Sequence, residues 1–390
     1  MPGNTPPESS NHGTSKSRAQ AKRGSSTSKR FRLERLTLKN FKAFDNLTIE
    51  FPRPNLADDP DILVMGSKNG LGKTSILEAC SLLFLAAIGG EKTLEYISYP
   101  RITVDLLDIM IRAGSQTSRI SGTFTIDDKP FDISLTLSRD GKTSIKKPST
   151  DLQQILQRTR TPRSANLSTT TLRFFLSLAG LNSEPLLAPP FMYFHSYRKV
   201  QEGRLELGAM VEGEQILARS RFASERETSI SLFKLEILRL LMSRGALFED
   251  LDNEDDAEGI LNNLNTLMER YAGGRIEKLR PSADSKIEFR VTPINKTTTS
   301  FNFDGLSSGQ KEIISTLFLI WYYTRSQRGI ILIDEPELHL NPEWHRGFIW
   351  HLLKLSPHNQ YITATHSEDV FSAVDKDRRI ILAADVEEVP

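Results

Sequence analysis

Apolar positions along the chain fall into three spacings. Residues 62–65, 191–194, 330–333 and 361–364 are short, mostly branched or aromatic runs without alternation. Strands buried on both faces of a parallel sheet read this way. A spacing of two marks Leu36, Leu38, Leu47, Ile49 and Phe51, and again Ile120, Phe124, Ile126, Phe131, Ile133, Leu135 and Leu137. The first set predicts two strands around a turn near Asp45 and Asn46. The second predicts antiparallel hairpins turning at residues 127–130 and layered on the parallel core. Strands near 287–291 and 299–303 are expected to return the chain to the core sheet. Helical spacing marks Ile76, Leu77, Cys80, Leu83, Phe84 and Ala87, then Ile230, Phe233, Ile237, Leu240 and Leu241, then Leu261, Leu264, Leu267 and Met268. Further helices are expected over 313–323 and 344–355. The class is α/β, with a parallel core sheet, an antiparallel β layer and a compact helical insertion. No heptad pattern extends over several repeats, so a long coiled-coil arm is not expected.

These elements divide the chain into residues 31–213, an N-terminal lobe, 214–285, the helical insertion, and 286–390, a C-terminal lobe. Residues 1–30 are rich in Ser, Pro, Gly and Asn and carry Lys16, Arg18, Lys22, Arg23, Lys29 and Arg30. Such a segment buries too little apolar surface to offset its ordering entropy, so a disordered basic tail is expected. Residues 142–163 are basic too and read as a solvated loop. The formal net charge of +1 gives no global argument for nucleic acid or a membrane surface. A single cysteine, Cys80, excludes an intramolecular disulfide and fits a reducing compartment. No run approaches the ~20 apolar residues of a membrane span. A cytoplasmic protein without a membrane partner is expected.

Candidate chemistry clusters where the apolar runs end. The run 62–65 leads into Gly66-Ser67-Lys68-Asn69-Gly70-Leu71-Gly72-Lys73-Thr74 and then into a helix. A glycine-rich loop between strand and helix turns its N–H groups toward phosphate oxygens. Lys73 then supplies a cation for the outer phosphates and the Thr74 hydroxyl a ligand for Mg²⁺. The strict pattern places glycine where Ser67 stands, and Gly66 lies one residue early. The run 330–333 ends in Asp334 and Glu335, then Pro336. A pair of acids there occupies the ligand-binding edge of an open α/β sheet, or simply faces water. Ser307 and Gly309 lie in Leu-Ser-Ser-Gly-Gln at the start of a helix, where N–H groups and a hydroxyl suit a phosphate and equally suit an ordinary N-cap. His366 follows the run 361–364, and His195 to Gln201 follow the run 191–194, with Gly203, Gly208 and Gly213 beyond.

Phosphate loop, Leu-Ser-Ser-Gly-Gln, Asp-Glu-Pro-Glu and strand-end His, in that order, resemble the ATP-binding-cassette ATPases over nearly the whole ordered chain. The opening Leu-Thr-Leu-Lys-Asn-Phe-Lys-Ala-Phe, the Asn69-Gly70 pair and Asp-Glu-Pro-Glu-Leu-His-Leu-Asn-Pro are similar to the SMC, RecF and OLD group. OLD-type proteins carry a C-terminal Toprim nuclease, for which the residues after His366 leave no room. The chain therefore resembles the stand-alone ATPase subunits of bacterial anti-phage defence modules.

That resemblance implies an ABC-ATPase head with ATP and Mg²⁺ as its cofactors. It implies that Ser67, Asn69, Gly70, Gly72, Lys73, Thr74 and Ser75 cradle the nucleotide, with Lys73 on the β- and γ-phosphates. Thr74, Asp334 and Gln201 would hold Mg²⁺, Asp334 directly or through water. Glu335 would be the general base and His366 a γ-phosphate contact. Ser307 and Gly309 would close over the nucleotide of a second copy. Gln201 takes the Q-loop position, with Arg198 competing for it, and residues 42–44 would flank the base. His339 and Asn341 would lie at the dimer seam. Two functions remain open: an ATPase whose head-to-head dimerisation regulates a separate effector, a nuclease among the possibilities, and a DNA repair or remodelling ATPase that binds duplex directly.

Overall fold

The computed structural model describes residues 31–56, 59–66, 70–90, 105–146, 167–180, 182–200, 205–206, 231–243, 254–281, 286–295, 299–325 and 328–382. The basic tail, Ser67, Lys68, Asn69, Gln201, Gly203, Gly208 and Gly213 lie outside them, as does most of the basic stretch 142–163. Two strands open the described chain, β1 (Phe31–Phe41) and β2 (Phe44–Glu50). They turn at Lys42 and Ala43, not at Asp45 and Asn46, which sit inside β2 opposite β1. Asn40 and Lys42 take left-handed backbone conformations, and the Lys42 N–H is held by the Met110 carbonyl at 3.1 Å. A tertiary contact thus selects the turn that local composition does not mark.

The chain continues through β3 (Asp61–Gly66), α1 (Lys73–Gly89) and the short α2 (Leu106–Met110) to β4 (Thr117–Ile126), β5 (Lys129–Ser138) and β6 (Thr143–Lys146). Asp127 and Asp128 both have positive φ in the two-residue β4–β5 turn, as a type I′ hairpin demands. Beyond α3 (Leu167–Leu178) come β7 (Leu186–Ala188), β8 (Phe191–Phe194), β9 (Leu205–Glu206), α4 (Leu232–Ser243), α5 (Glu254–Ala272), β10 (Gly274–Pro281), β11 (Lys286–Pro293) and β12 (Phe301–Asn302). The last elements are α6 (Ser308–Thr324), β13 (Ile330–Asp334), α7 (Pro342–Leu355), β14 (Gln360–Thr365), α8 (Glu368–Ser372) and β15 (Arg379–Ile381).

The six-stranded core sheet has the order β15-β3-β14-β13-β8-β7, parallel except for β7. Successive side chains point to opposite faces, so each core strand feeds two cores. Leu63, Met65, Ile330, Leu332, Ile362 and Phe191 meet α1 on one face. Ile62, Val64, Ile331, Ile333, Tyr361 and Met192 meet α6 and α7 on the other. Helix α1 is apolar nearly all round because it lies between the core sheet and the five-stranded antiparallel sheet β2-β1-β4-β5-β6. The Gln360 side chain fastens the two sheets, accepting from Leu33 N and donating to Leu33 O, both at 2.8 Å.

Strands β11 and β12 do not return to the core sheet. With β9 and β10 they form a separate four-stranded sheet over the second core. The segment expected to be a helical insertion therefore ends in a strand, because β10 finds β11 as its antiparallel partner. No helix among the described residues is long and apolar enough to cross a membrane.

Candidate functional site

The parallel register places the carboxyl ends of four core strands side by side. Gly66 lies beside Thr365, Asp334 beside Ala364, and Ile333 beside Phe194. Every polar segment that follows these strands therefore leaves the sheet at one edge, where open α/β sheets bind ligands.

The phosphate-loop end of this edge is described from Gly70. Gly70 and Gly72 have φ of 83° and 82°, backbone that favours glycine, and Gly72 stands at the N-terminus of α1. A methyl at Gly72 would also run into the Phe44 ring, so β2 packs directly on the loop. The neighbouring Lys42 is committed elsewhere, in a partly buried ion pair with Glu78 of α1. Gly66 has a separate reason to lack a side chain: a Cβ there would overlap the Phe371 ring of α8. Its displacement from the strict motif is thus a packing requirement between β3 and α8.

Five of the expected residues, Lys73, Thr74, Asp334, Glu335 and His366, form one polar cluster. The Thr74 hydroxyl donates to Asp334 Oδ2 at 2.8 Å, Lys73 Nζ lies 3.2 Å from His366 Nδ1, and His366 Nε2 lies 3.4 Å from Glu335 Oε1. Asp334 is fully buried, and burial pushes its carboxyl up to about 7, with the charges of Glu335 and Glu78 adding to the rise. The Thr74 hydrogen bond opposes it. Its second oxygen, Oδ1, is buried and finds no hydrogen-bond partner among the described residues. A buried carboxylate with an unpartnered oxygen, beside a hydroxyl, has the donors to fit a cation. Lys73 is 5 % exposed; burial lowers its ammonium pKa, against the nearby charges of Glu335, Asp334 and Glu337. No group of three or more His, Cys, Asp or Glu among the described residues could hold a metal. One hydroxyl and one carboxylate fit Mg²⁺, which keeps waters and shares phosphate oxygens.

Ser75 follows in the first turn of α1. Ser307 is exposed at the N-cap of α6, and its hydroxyl and backbone N–H both bond to Gln310 in a capping box. Its hydrogen bonds do not reach the Lys73 cluster within one chain. Gly309 is buried, and a methyl there would strike the His339 carbonyl, at a residue with φ of 64°. Asn341 caps α7 through the Glu343 N–H. Arg198 is turned away from a phosphate role: its guanidinium donates to the carbonyls of His195, Asp334 and Glu335. His195 is buried against the Glu184 carbonyl, and burial depresses its imidazole to about 4.

Glu337 is the residue missed by reading the sequence. Its Oε1 accepts from the backbone N–H groups of His366 and Ser367 at 2.7 and 3.1 Å, and its Oε2 accepts from the Thr365 hydroxyl at 2.8 Å. One carboxylate thus fixes the turn that aims His366. The signal was the second acid of Asp-Glu-Pro-Glu, whose partners lie one strand away. We expect Glu337→Gln to lose about 2 kcal/mol, since an amide offers one acceptor oxygen and no charge to three donors. Thermal unfolding should show the loss, and an unchanged melting temperature would remove Glu337 as the anchor of the His366 turn.

Residues 68–372 match the family described as "AAA domain, putative AbiEii toxin, Type IV TA system". A stretch of 139 residues is 25% identical to "Retron Vc95 probable ATPase" of Vibrio cholerae serotype O1 biovar El Tor, covering 33% of this chain and 26% of that protein. A shorter stretch of 47 residues is 45% identical to "Retron Ec83 probable ATPase" of Escherichia coli, covering 12% of this chain and 9% of that protein. The matched stretches thus span about a quarter and a tenth of the lengths of these curated relatives. Among solved structures, an SMC head bound to the C-winged helix domain of ScpA superposes with a TM-score of 0.52 at 16% identity, over 90% of this chain and 94% of that one. The fold is that of an SMC head. With the family match extending over well more than half of its 390 residues, the chain belongs to this AAA-domain family.

Proposed function

We propose that this chain hydrolyses ATP with Mg²⁺, and that ATP-driven pairing of two copies regulates a separate effector protein in a bacterial anti-phage defence module. The observation that carries the chemistry is the Thr74–Asp334 pair, with its bare buried oxygen, set beside Lys73, His366 and Glu335. Thr74 and Asp334 would hold Mg²⁺, which supplies positive charge to the phosphates when bound. Lys73 meets the outer phosphate oxygens as a point charge. Glu335 accepts a proton from the attacking water, and His366 donates to the γ-phosphate. The first turns of α1 present N–H groups to the same anion.

The exposed Ser307 at the start of α6 supports a contact made between copies. We expect Ser307→Arg to bind ATP like the wild type, because Ser307 has no bond to the Lys73 cluster of its own chain. It should lose turnover ~10²-fold, since a guanidinium fills the seam that two heads must close. Full activity in this variant would remove the composite site. The "toxin" in the family description and the retron names of the relatives support a defence module. The winged-helix domain held by the SMC head supports a protein partner. Phosphate release with Mg²⁺ and with EDTA, sedimentation with and without ATP, and identification of what co-purifies with the native protein test the reading together. Turnover that survives EDTA, or heads that stay monomeric with ATP, would reject it. A duplex affinity that rises with ATP and falls steeply with salt would favour direct DNA binding instead.

A further inference from the structure

Glu335 departs from the sheet with φ of 47°, a left-handed conformation that costs a non-glycine residue about 1 kcal/mol and persists only where its surroundings impose it. Three hydrogen bonds do so. The Glu335 N–H donates to the Ala364 carbonyl at 2.8 Å, and the Glu335 carbonyl accepts from Leu338 N at 3.0 Å and from Arg198 at 3.2 Å. The first two are local to the strand ends. Arg198 alone among these partners continues to another layer of the fold. Its guanidinium also takes the Asp334 carbonyl at 2.7 Å and pairs with Glu312 Oε1 of α6 at 2.7 Å. The two side chains are only 4 % and 6 % exposed.

Helix α6 is the element that presents Ser307 at the proposed seam. Its first turn is tied down by the capping box, by Gln310 Nε2 donating to the Tyr271 carbonyl at 2.9 Å, and by Lys311 Nζ donating to the Asp304 carbonyl at 3.2 Å. Gly309 seats the same turn on the His339 carbonyl, beyond Glu335 in the chain. A shift of this turn reaches Glu312 as a rigid displacement of the helix. Beside the ion pair lies a cavity of ≈ 20 Å³ lined by Glu184, Arg198, Ser231, Glu312, Ser315 and Thr316 among others, in which Glu184 Oε1 finds no hydrogen-bond partner. That is room for about one water beside Glu184 and Glu312.

We propose that Arg198 and Glu312 form a positioning strut that couples the start of α6 to the backbone conformation of Glu335, so that a partner head docking on α6 sets the aim of the base. The strut rests on the reading of Glu335 as general base. Arg198 and Glu312 touch no reacting atom; they act through the backbone at Asp334 and Glu335.

Two substitutions test the strut. Arg198→Lys keeps a cation but cannot reach three carbonyls and a carboxylate from one fork. Glu312→Gln keeps volume and an acceptor oxygen but loses the ion pair. Both should bind ATP with a Kd within about twofold of wild type and lose single-turnover rate by ~10-fold to ~10²-fold, the cost of a misplaced base. Placed on Glu335→Gln, each should cost clearly less than it does on wild type, because the carboxylate they aim is already gone. Wild-type rates in both single variants overturn the strut, as does an equal extra loss on the Glu335→Gln background. Unfolding of both chains makes the pair a stabilising contact only and overturns it too. If one variant fails to fold, the other decides. A wild-type rate in Glu335→Gln alone removes the base reading on which the strut depends. A slow Glu335→Gln beside fast Arg198→Lys and Glu312→Gln removes the strut alone.

Discussion

Glu335→Gln is expected to bind ATP and Mg²⁺ normally, to slow the chemical step by ~10²-fold or more, and to accumulate as a closed dimer. A carboxylate accepts a proton from the attacking water; an amide of the same shape does not. The substitution leaves the Thr74–Asp334 hydrogen bond in place, so the groups that would hold the cation are unchanged. It also leaves the backbone of residue 335 in the grip of Ala364, Leu338 and Arg198, so the loss is confined to the side chain. Its one described side-chain partner is His366, 3.4 Å from Oε1, and an amide oxygen can still accept there. ATP that closes two heads would no longer be cleared, and closure becomes the resting state. Phosphate release measures the first effect and sedimentation in ATP the second. Near-normal turnover would remove Glu335 as the base. Slow turnover without nucleotide-dependent association would keep the base and reject the dimer. Where head closure is what an effector reads, this variant holds the module in one state.

The parts of this site that the sequence made legible are those that depend on a strand ending. Runs 62–65, 330–333 and 361–364 are buried on both faces, so the first polar residues after them had to emerge at one sheet edge. That places Lys73, Thr74, Asp334, Glu335 and His366 together before any side chain is drawn. What stayed hidden depends on which strands become neighbours. Glu337 bonds to residues 365–367 only because β13 lies beside β14, and spacing along the chain carries no trace of that pairing. Arg198 competes with Gln201 for the Q-loop position in the sequence; the β8–β13 register delivers it to the Asp334 and Glu335 carbonyls. Gly66 lies one residue early for the phosphate-loop pattern, and the Phe371 ring that packs against it comes from α8, far along the chain. The turn at Lys42 and Ala43 was misread because a carbonyl from α2, far along the chain, selects it. Strands β11 and β12 were assigned to the wrong sheet for a related reason: alternation reports a half-buried strand but not its partner.

Lys73→Ala is expected to abolish nucleotide binding itself, which separates it from every substitution at the acids. Lys73 sits 5 % exposed beside Glu335, Asp334 and Glu337 and within 3.2 Å of His366 Nδ1. Its positive charge does two things there. It offsets the carboxylates that would otherwise repel an incoming triphosphate, and in the proposed reading it would meet the outer phosphates directly. Alanine removes both, so the anion would approach uncompensated acids in a poorly hydrated edge. An affinity loss of at least ~10²-fold follows, about 2.7 kcal/mol. The fold should survive, because burial already works against the Lys73 charge and alanine is a strong helix former in the first turn of α1. Thermal unfolding then gives a clean readout. Wild type should be stabilised by ATP with Mg²⁺ in proportion to the logarithm of ligand over Kd, whereas Lys73→Ala should melt near the ligand-free wild type at every ATP concentration. A nucleotide-induced rise of wild-type size in the alanine variant would mean that ATP is held elsewhere, and the whole edge built from Thr74, Asp334, Glu335 and His366 would need another ligand.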